Sequence, residues 1–329
     1  MYLITGGAGF IGSNIAASLD ADDADIVIVD KLGDDEIKWR NIAKRRLEDI
    51  IPPEALPAFL QRHAGAIRGI FHMGAISTTT ERDADAIVHN NFRLSVDLWA
   101  FAARAAVPFV YASSAATYGD GSGGFVDHQD EPRLAELHPL NAYGWSKHLF
   151  DRWVARRAQK GEAMPPRWAG LKFFNVYGPN EYHKGGQRSM AVQLHAQIRD
   201  TGRVRLFRSD HPDYADGEPR RDFVWVGDCV AVARWFMEDF AAASGLYNVG
   251  SGVARSFREK AEFIFSAMGR EPVVEFIPLP EMLKGKYQYY TCASLEKLRQ
   301  AGYSRPMTSL EEGIRLYIGD YLDRPDPYR

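Results

Sequence analysis

The chain opens on a short apolar run, Tyr2-Leu3-Ile4-Thr5, which turns at once into Gly6-Gly7-Ala8-Gly9-Phe10-Ile11-Gly12. The glycines fall as Gly7-x-Gly9-x-x-Gly12, and Gly6 gives a second reading, Gly-x-x-Gly-x-x-Gly, of the same turn. Glycines at this spacing permit a tight strand-to-helix turn and close approach of the backbone to a pyrophosphate, whose charge the amides of the following helix favour. Alone the pattern is common. Here a strand precedes it, a helical pattern follows over 13–19, and Asp30 closes the next strand about 20 residues on, where an acid meets a ribose. The turn is therefore read as a dinucleotide site built on Gly6, Gly9 and Gly12 rather than as a bland loop.

That reading fixes the fold class. Four strand-like runs, at 2–5, 26–30, 69–72 and 109–113, alternate with helical patterns, the sign of a parallel sheet covered on both faces. In the stretch 91–106, Phe92, Leu94, Val96, Leu98 and Phe101 supply much of an apolar surface. A polar stretch at 120–141 is read as a loop flanking the site, since helical pattern resumes at Tyr143. Residues 169–174 form another strand candidate, after which Gly178-Pro179, Lys184-Gly185-Gly186 and the polar run 208–221 break the rhythm. Residues 223–226, 228–240 and 246–249 then read as a return to the sheet, and 307–322 as a terminal helix. The expectation is an α/β protein with a Rossmann-type doubly wound parallel sheet and a smaller, interleaved α/β substrate-binding domain. Residues 1–172 and 222–250 are assigned to the first, and 173–221 and 251–329 to the second.

Composition narrows the function classes. The 329 residues allow roughly two domains. A net charge of −3 with 25% charged residues gives no general reason to bind nucleic acid or anionic lipid. Cys229 and Cys292 lack metal-ligand spacing, and no apolar run approaches the roughly 20 residues of a spanning helix. A strand beginning at Tyr2 leaves no room for a signal peptide. A cytoplasmic protein without metal, membrane or nucleic-acid partners is expected.

Chemistry enters at Tyr143-Gly-Trp-Ser-Lys147, where a tyrosine and a lysine stand four residues apart on one helix face. A phenol near its ordinary pKa of about 10 is a poor base at neutral pH, and lowering it about three units costs roughly 4 kcal/mol. An ammonium about 4 Å away at an effective dielectric of about 20 is worth roughly the same before desolvation. Ser113 and Ser114 end the preceding strand, and Ser114 could orient a reacting hydroxyl or the phenolic proton. The spacing recurs by chance in many helices; the glycine turn and the serine-ending strand upstream are what give it weight. Cofactor choice stays open on the residues alone. Asp30 suits a free 2′-hydroxyl (NAD), whereas Lys31 and Lys38 suit a 2′-phosphate (NADP), unless those lysines are merely solvated.

The order of these elements resembles the extended short-chain dehydrogenase/reductase family, in its NAD-dependent epimerase/dehydratase branch, over essentially the whole chain. The resemblance rests on Thr5-Gly-Gly-Ala-Gly-Phe-Ile-Gly-Ser-Asn14, Phe71-His-Met-Gly-Ala75, Tyr111-Ala-Ser-Ser-Ala-Ala-Thr-Tyr-Gly119, Tyr143-Gly-Trp-Ser-Lys147, Phe174-Asn-Val-Tyr-Gly-Pro179 and Arg221-Asp-Phe-Val224. Within the family, Ser77-Thr-Thr-Thr-Glu81, His183-Lys-Gly185 and Lys284-Gly-Lys-Tyr287 are similar to the heptose 6-epimerases. The resemblance implies inversion at C6 of an ADP-linked glycero-manno-heptose by transient oxidation and re-reduction with bound NADP, in lipopolysaccharide core heptose biosynthesis. It implies Tyr143 and Lys184 as acid/base groups, Lys147 on the nicotinamide ribose and Ser114 supporting Tyr143. It further implies that Phe10, Ile11, Asp30, Lys31, Lys38, Met73, Gly74, Ala75, Ser77, Asn90, Lys147, Val176 and Lys184 line the cofactor site, and that Ser114, Asn175, Gly186, Gln193, Phe207, Ser209, Arg221 and Tyr287 meet substrate. It implies a homo-oligomer too, in this family often a pentamer. Two departures stand out: Gly186 and Gln193 replace a serine and a histidine of the family pattern, and the loop 208–220 is longer than usual.

Other readings remain. A UDP- or dTDP-sugar 4-epimerase or a dehydratase shares everything up to Lys147, although Ala115-Ala116 occupy the place of a dehydratase's acidic pair. A non-catalytic NADP sensor on the same fold usually lacks the tyrosine or lysine. Arg208, Arg220 and Arg221 could bind a diphosphate or be solvated. Tyr287, Tyr289 and Tyr290 could stack on a base or pack within the second lobe.

Overall fold

A computed structural model describes residues 1–34, 37–239, 241–281 and 288–329. Its strands are β1 (Tyr2–Thr5), β2 (Ile26–Val29), β3 (Asp49–Ile51), β4 (Gly69–His72), β5 (Phe109–Ser114), β6 (Trp168–Phe173), β7 (Asn175–Tyr177), β8 (Val204–Phe207), β9 (Arg220–Trp225), β10 (Gly245–Val249), β11 (Ala254–Ser256) and β12 (Val274–Ile277). Seven form one sheet in the order β10-β6-β5-β4-β1-β2-β3, every pair parallel. The strand order reverses between β1 and β4, so a crevice opens beyond their carboxyl ends, where ligands bind in such sheets.

The strands read as unbroken apolar runs because both faces are covered. Leu3, Val27, Ile70, Phe109 and Tyr111 point into one core with Trp99 and Phe150. Their neighbours Ile4, Ile28, Phe71 and Val110 point into the other with Ile15 and Val232. Gly7, Gly9 and Gly12 hold the first helix, Phe10–Asp20, against β1 and β2: a Cβ on Gly12 would lie 2.2 Å from the Gly6 carbonyl oxygen, and one on Gly7 would lie 2.9 Å from the Ile28 side chain. Gly6 adopts φ +62, a conformation that costs other residues energy.

A second lobe is built on a three-stranded sheet, β11-β9-β7, and a parallel pair, β12 with β8. Its core joins Tyr177, Leu194, Leu206, Phe223, Phe265 and Tyr317. The expected return of residues 223–226 to the main sheet does not occur: β9 pairs with β7 and β11, and only β10 rejoins the large sheet, beside β6. The helix between them runs over Val226–Glu238, and residue 240 lies outside the described residues. The segment 91–106 begins as a π-helical turn, Val88–Arg93, before the helix Leu94–Ala105. The loop 120–141 contains a helical turn, Glu131–Ala135, capped by Asp130. Among the described residues no helix is long and apolar enough to cross a membrane.

Candidate active site

Beyond the switch point lies a cleft of about 760 Å³. Gly6, Gly9, Phe10, Ile11 and Gly12 line one end with Asp30, Lys31 and Lys38; Met73, Gly74, Ala75, Ser77 and Asn90 line the side above β4. Ser114, Tyr143, Lys147, Val176 and Lys184 line the other end. Residues as far apart in sequence as Gly6 and Lys184 thus share one cavity.

Asp30, at the glycine-turn end of the cleft, is well held. Asp30 Oδ2 accepts from the Ala8 amide (2.9 Å), and Oδ1 accepts from the Lys31 amide (2.8 Å) and the Lys38 ammonium (2.6 Å). Of the three residues that gave conflicting signals on cofactor choice, Asp30 and Lys38 are therefore an ion pair at one spot, while the Lys31 side chain pairs with Glu54.

At the other end, the helix Ala142–Gln159 begins at Asn141, whose side chain caps it by accepting from the Gly144 amide (2.8 Å). Tyr143 and Lys147 then face the cleft one turn apart. Burial pushes the Lys147 ammonium down to about 8, with Asp151 opposing. Burial also pushes the Tyr143 phenol above its ordinary range, and a hydrogen bond with Ser114 pulls it back. At Tyr143 desolvation is the larger influence and Ser114 the group that opposes it. Lys184 comes from a different lobe, on the short helical turn Tyr182–Gln187, with its ammonium 5.7 Å from the Phe10 ring. Burial lowers it as well, against the Glu181 carboxylate. A half-buried amine and a phenol in one cleft can exchange protons with a bound alcohol or carbonyl near neutral pH.

Sequence reasoning missed the polar network behind this wall. Asn91 is fully buried; its amide donates to the Ile76 carbonyl (3.0 Å) and Ser146 (3.0 Å), and its oxygen accepts from the Ile76 amide (2.8 Å). Ser146 in turn donates to the Tyr143 carbonyl (2.7 Å). A second chain runs from the Gly74 amide to Thr5, His72, Ser95 and the Asn91 carbonyl. The signal was available in polar residues at 91 and 95, four apart, inside an apolar helical pattern. Burial holds His72 neutral, with a pKa of about 3. As pH falls below about 6.5, an unfolded His72 takes up a proton that the folded one refuses, so stability drops by about 1.4 kcal/mol per pH unit from this residue. His72→Gln can still accept from Thr5 and donate to Ser95 without titrating. Its urea midpoint should fall less steeply than the wild type's between about pH 6 and pH 4; equal slopes would clear His72 of the effect.

Of the expected substrate positions among the described residues, Ser114 lines the cleft, whereas Asn175, Gly186, Gln193, Phe207, Ser209 and Arg221 are not part of its lining. Asn175 begins β7 and accepts from Thr291 (3.4 Å). Gly186 is exposed with open space around it, and Gln193 donates to the Arg188 carbonyl (2.7 Å). Phe207 ends β8, and the Ser209 amide is tied to Asp216 (2.9 Å). Arg221 is buried, with its guanidinium donating to the carbonyls of Arg220 and Gln288. Tyr289 packs with Tyr214 (5.5 Å between centroids) and His211 (4.7 Å), the packing alternative rather than an open stacking face, while Tyr290 is half exposed. Tyr287, and with it Lys284-Gly-Lys-Tyr287, lies outside the described residues.

A doubly wound sheet with a glycine turn at its switch point and a Tyr-x-x-x-Lys pair in the same cleft defines an enzyme of the short-chain dehydrogenase/reductase class. More narrowly, the chain belongs to the NAD-dependent epimerase/dehydratase family, whose model matches residues 2–250. It is 47% identical, over the full length of both chains, to an ADP-L-glycero-D-manno-heptose-6-epimerase of Nitratidesulfovibrio vulgaris. It is 44% identical, again over all of both, to one of Fusobacterium nucleatum. Among solved structures it resembles the ADP-L-glycero-D-manno-heptose-6-epimerase of Helicobacter pylori, with a TM-score of 0.78 at 29% identity, covering 97% of this chain and 95% of that one.

Proposed function

We propose that the chain interconverts ADP-D-glycero-β-D-manno-heptose and its L-glycero epimer by inverting C6, in heptose assembly for the lipopolysaccharide core, as a cytoplasmic homo-oligomer. The full-length identity to the Nitratidesulfovibrio enzyme carries this reading. The cleft supports it by bringing Tyr143 and Lys184 into one cavity from two lobes.

The cradle fits a nicotinamide dinucleotide: a Cβ on Gly6 would sit 2.6 Å from the Gly74 Cα and one on Gly12 only 2.2 Å from the Gly6 carbonyl, so side chains are excluded where backbone must meet phosphate. Gly6, Gly9, Phe10, Ile11 and Gly12 would hold the pyrophosphate end, Asp30 and Lys38 the adenosine ribose, and Lys147 the nicotinamide ribose. When bound, the cofactor supplies a hydride acceptor that becomes the donor for the return step. The residues do the rest. Inverting a secondary alcohol through its carbonyl requires a proton to leave from one orientation of the side arm and return to the other, so a single fixed base serves only one epimer. Tyr143, steadied by Ser114, takes one orientation and Lys184 the other. Asn175, Ser209 and Arg221 stand as the residues that hold the nucleotide-sugar.

Incubation of the purified protein with ADP-D-glycero-β-D-manno-heptose, without added cofactor, should bring the two C6 epimers to a mixed equilibrium by chromatography. No conversion even with added NADP would turn the search to UDP- and dTDP-sugars.

NADP is the proposed cofactor, with Lys38 leaving Asp30 to meet a 2′-phosphate. A charge-assisted hydrogen bond of this kind is worth about 1.5–3 kcal/mol. Lys38→Ala should therefore weaken NADP roughly tenfold or more while changing NAD little, read by titration of the stripped protein. Equal losses for both would take Lys38 out of this role.

A further inference from the structure

Behind Tyr143 and Lys147, sealed from both solvent and cleft, lies a lysine–aspartate pair that the mechanism above does not use. Lys172 of β6 and Asp151 of the helix Ala142–Gln159 have fully buried side chains, with the ammonium 2.6 Å from the carboxylate. Every oxygen is occupied: Asp151 also accepts from Tyr111 (3.0 Å) and Ser113 (2.7 Å). Lys172 also donates to Thr117 (2.8 Å), whose hydroxyl donates to the Ser114 carbonyl (2.8 Å), and it lies 5.2 Å from the centre of the Tyr118 ring. Taking two charges out of water is expensive even where each is hydrogen-bonded, and well-packed apolar side chains of the same size often do as well or better. Packing β6 against the helix does not need this pair.

Its placement gives it another use. Tyr143, Lys147 and Asp151 are spaced i, i+4, i+8, so Asp151 is one turn behind Lys147 on the same helix face. Lys172 grips that helix through Asp151 and grips the end of β5 through Thr117 and Ser114. We propose that the Lys172–Asp151 pair is a positioning device for the catalytic pair, fixing Ser114 opposite Tyr143 and governing how firmly Lys147 keeps its proton. The proposal rests on the roles of Tyr143, Lys147 and Ser114 given above.

The charges around the lysine make the effect predictable in sign. Asp151 is the carboxylate whose field reaches Lys147 and opposes its loss of charge on burial. Lys172 spends part of that field, because it sits directly on the carboxylate. The other titratable and charged groups facing this region are His72 of β4 and His148 of the same helix, both kept neutral by burial, Asp127 and Lys297, each of which feels the Lys172 charge, together with Tyr143, Arg152 beside Asp151 in sequence, and Lys184 in the lining of the same cleft. Taking away Asp151 leaves Lys147 with desolvation and no counter-charge; taking away Lys172 gives Lys147 the whole carboxylate. The two changes shift Lys147 in opposite directions, which a merely structural pair would not do.

The test uses the full-length protein with its cofactor bound, labelled with ¹³C at lysine Cε, the Lys147 resonance being assigned through Lys147→Arg. Asp151→Asn should lower the Lys147 midpoint, and with it the alkaline limb of the epimerisation pH profile, by about one pH unit or more; Lys172→Met should raise both. Each single change strands a buried partner and threatens folding, so the pair Asp151→Leu with Lys172→Met is made as well. Both charges then go together, and the Lys147 midpoint should fall below the wild type's, with kcat reduced and KM little changed. Unmoved midpoints in the folded variants, or shifts of the same sign in both single variants, would overturn the proposal, as would a double variant with wild-type titration and kcat. Failure of the wild type to epimerise the heptose would sink the substrate reading instead, since the Lys147 titration needs no substrate.

Discussion

Tyr143→Phe is expected to cut epimerisation about 10³-fold or more while leaving the protein folded and its dinucleotide bound. General acid–base groups contribute about 10²–10⁴, and the expected loss lies within that range. The substitution keeps the ring and removes only the oxygen that bonds to Ser114, so the helix, Lys147 and the cleft wall are untouched. Chromatography of the two epimers gives the rate, and the absorbance of released nicotinamide gives cofactor content. Turnover near the wild-type rate would end the role assigned to Tyr143. The expected pH behaviour follows from the same groups. In the proposed role Lys147 has to stay charged to steady the phenolate, and burial leaves it with a pKa of about 8, so activity should fall as pH rises through that value. Because burial raises the phenol and Ser114 is the group that lowers it, the remaining drop needed for a base falls to Lys147 and the nicotinamide cation acting together.

The parts legible in the sequence are those whose physics is local or repetitive. Strands β1, β2, β4, β5 and β6 were readable because burial on both faces makes each an apolar run between turn residues. The glycine turn was readable because only glycine tolerates its contacts with Gly74 and Ile28. β3 was not: it has three residues, and Asp49 and Ile50 are exposed at a sheet edge. β9 carries as good a strand pattern as any, but a pattern says nothing about partners, and its partners are β7 and β11. Tyr143 and Lys147 could be paired through helical spacing, and Ser114 through its place at a strand end. Asn91 and Ser95 stood out only as polar residues four apart in an apolar helix, and their partners were hidden, since the bond from Thr5 to His72 joins residues 67 positions apart and leaves no periodic trace. Lys184 was reached only through family resemblance. Its neighbourhood is long-range throughout: Asn41 bridges the Ala8 carbonyl and His183 (3.0 Å), and Glu181 accepts from Ser189 and Tyr317.

Lys184→Met separates a two-base inversion from a one-base one. Methionine fills nearly the same volume beside Phe10 and leaves the Glu181 and His183 anchors of the turn in place, so the cleft should keep its shape. Net interconversion is expected to fall about 10²- to 10³-fold. One epimer, the one that presents its hydroxyl to Tyr143, should still reduce the bound cofactor and be regenerated unchanged, visible as transient nicotinamide absorbance. The other epimer should do neither, and Tyr143→Phe should show the complementary pattern. The residual pH dependence carries a second signature. Burial lowers the Lys184 ammonium and Glu181 opposes it, so its base form grows as pH rises and is lost as pH falls. In the wild type, oxidation of the Lys184-facing epimer should therefore weaken toward acid, and Lys184→Met should lose that limb. If the variant interconverts both epimers at the wild-type rate, Tyr143 alone serves both faces and Lys184 is a wall residue. If instead both epimers fall silent while cofactor is lost, the lysine belongs to the binding of the dinucleotide and the second base lies elsewhere in the cleft.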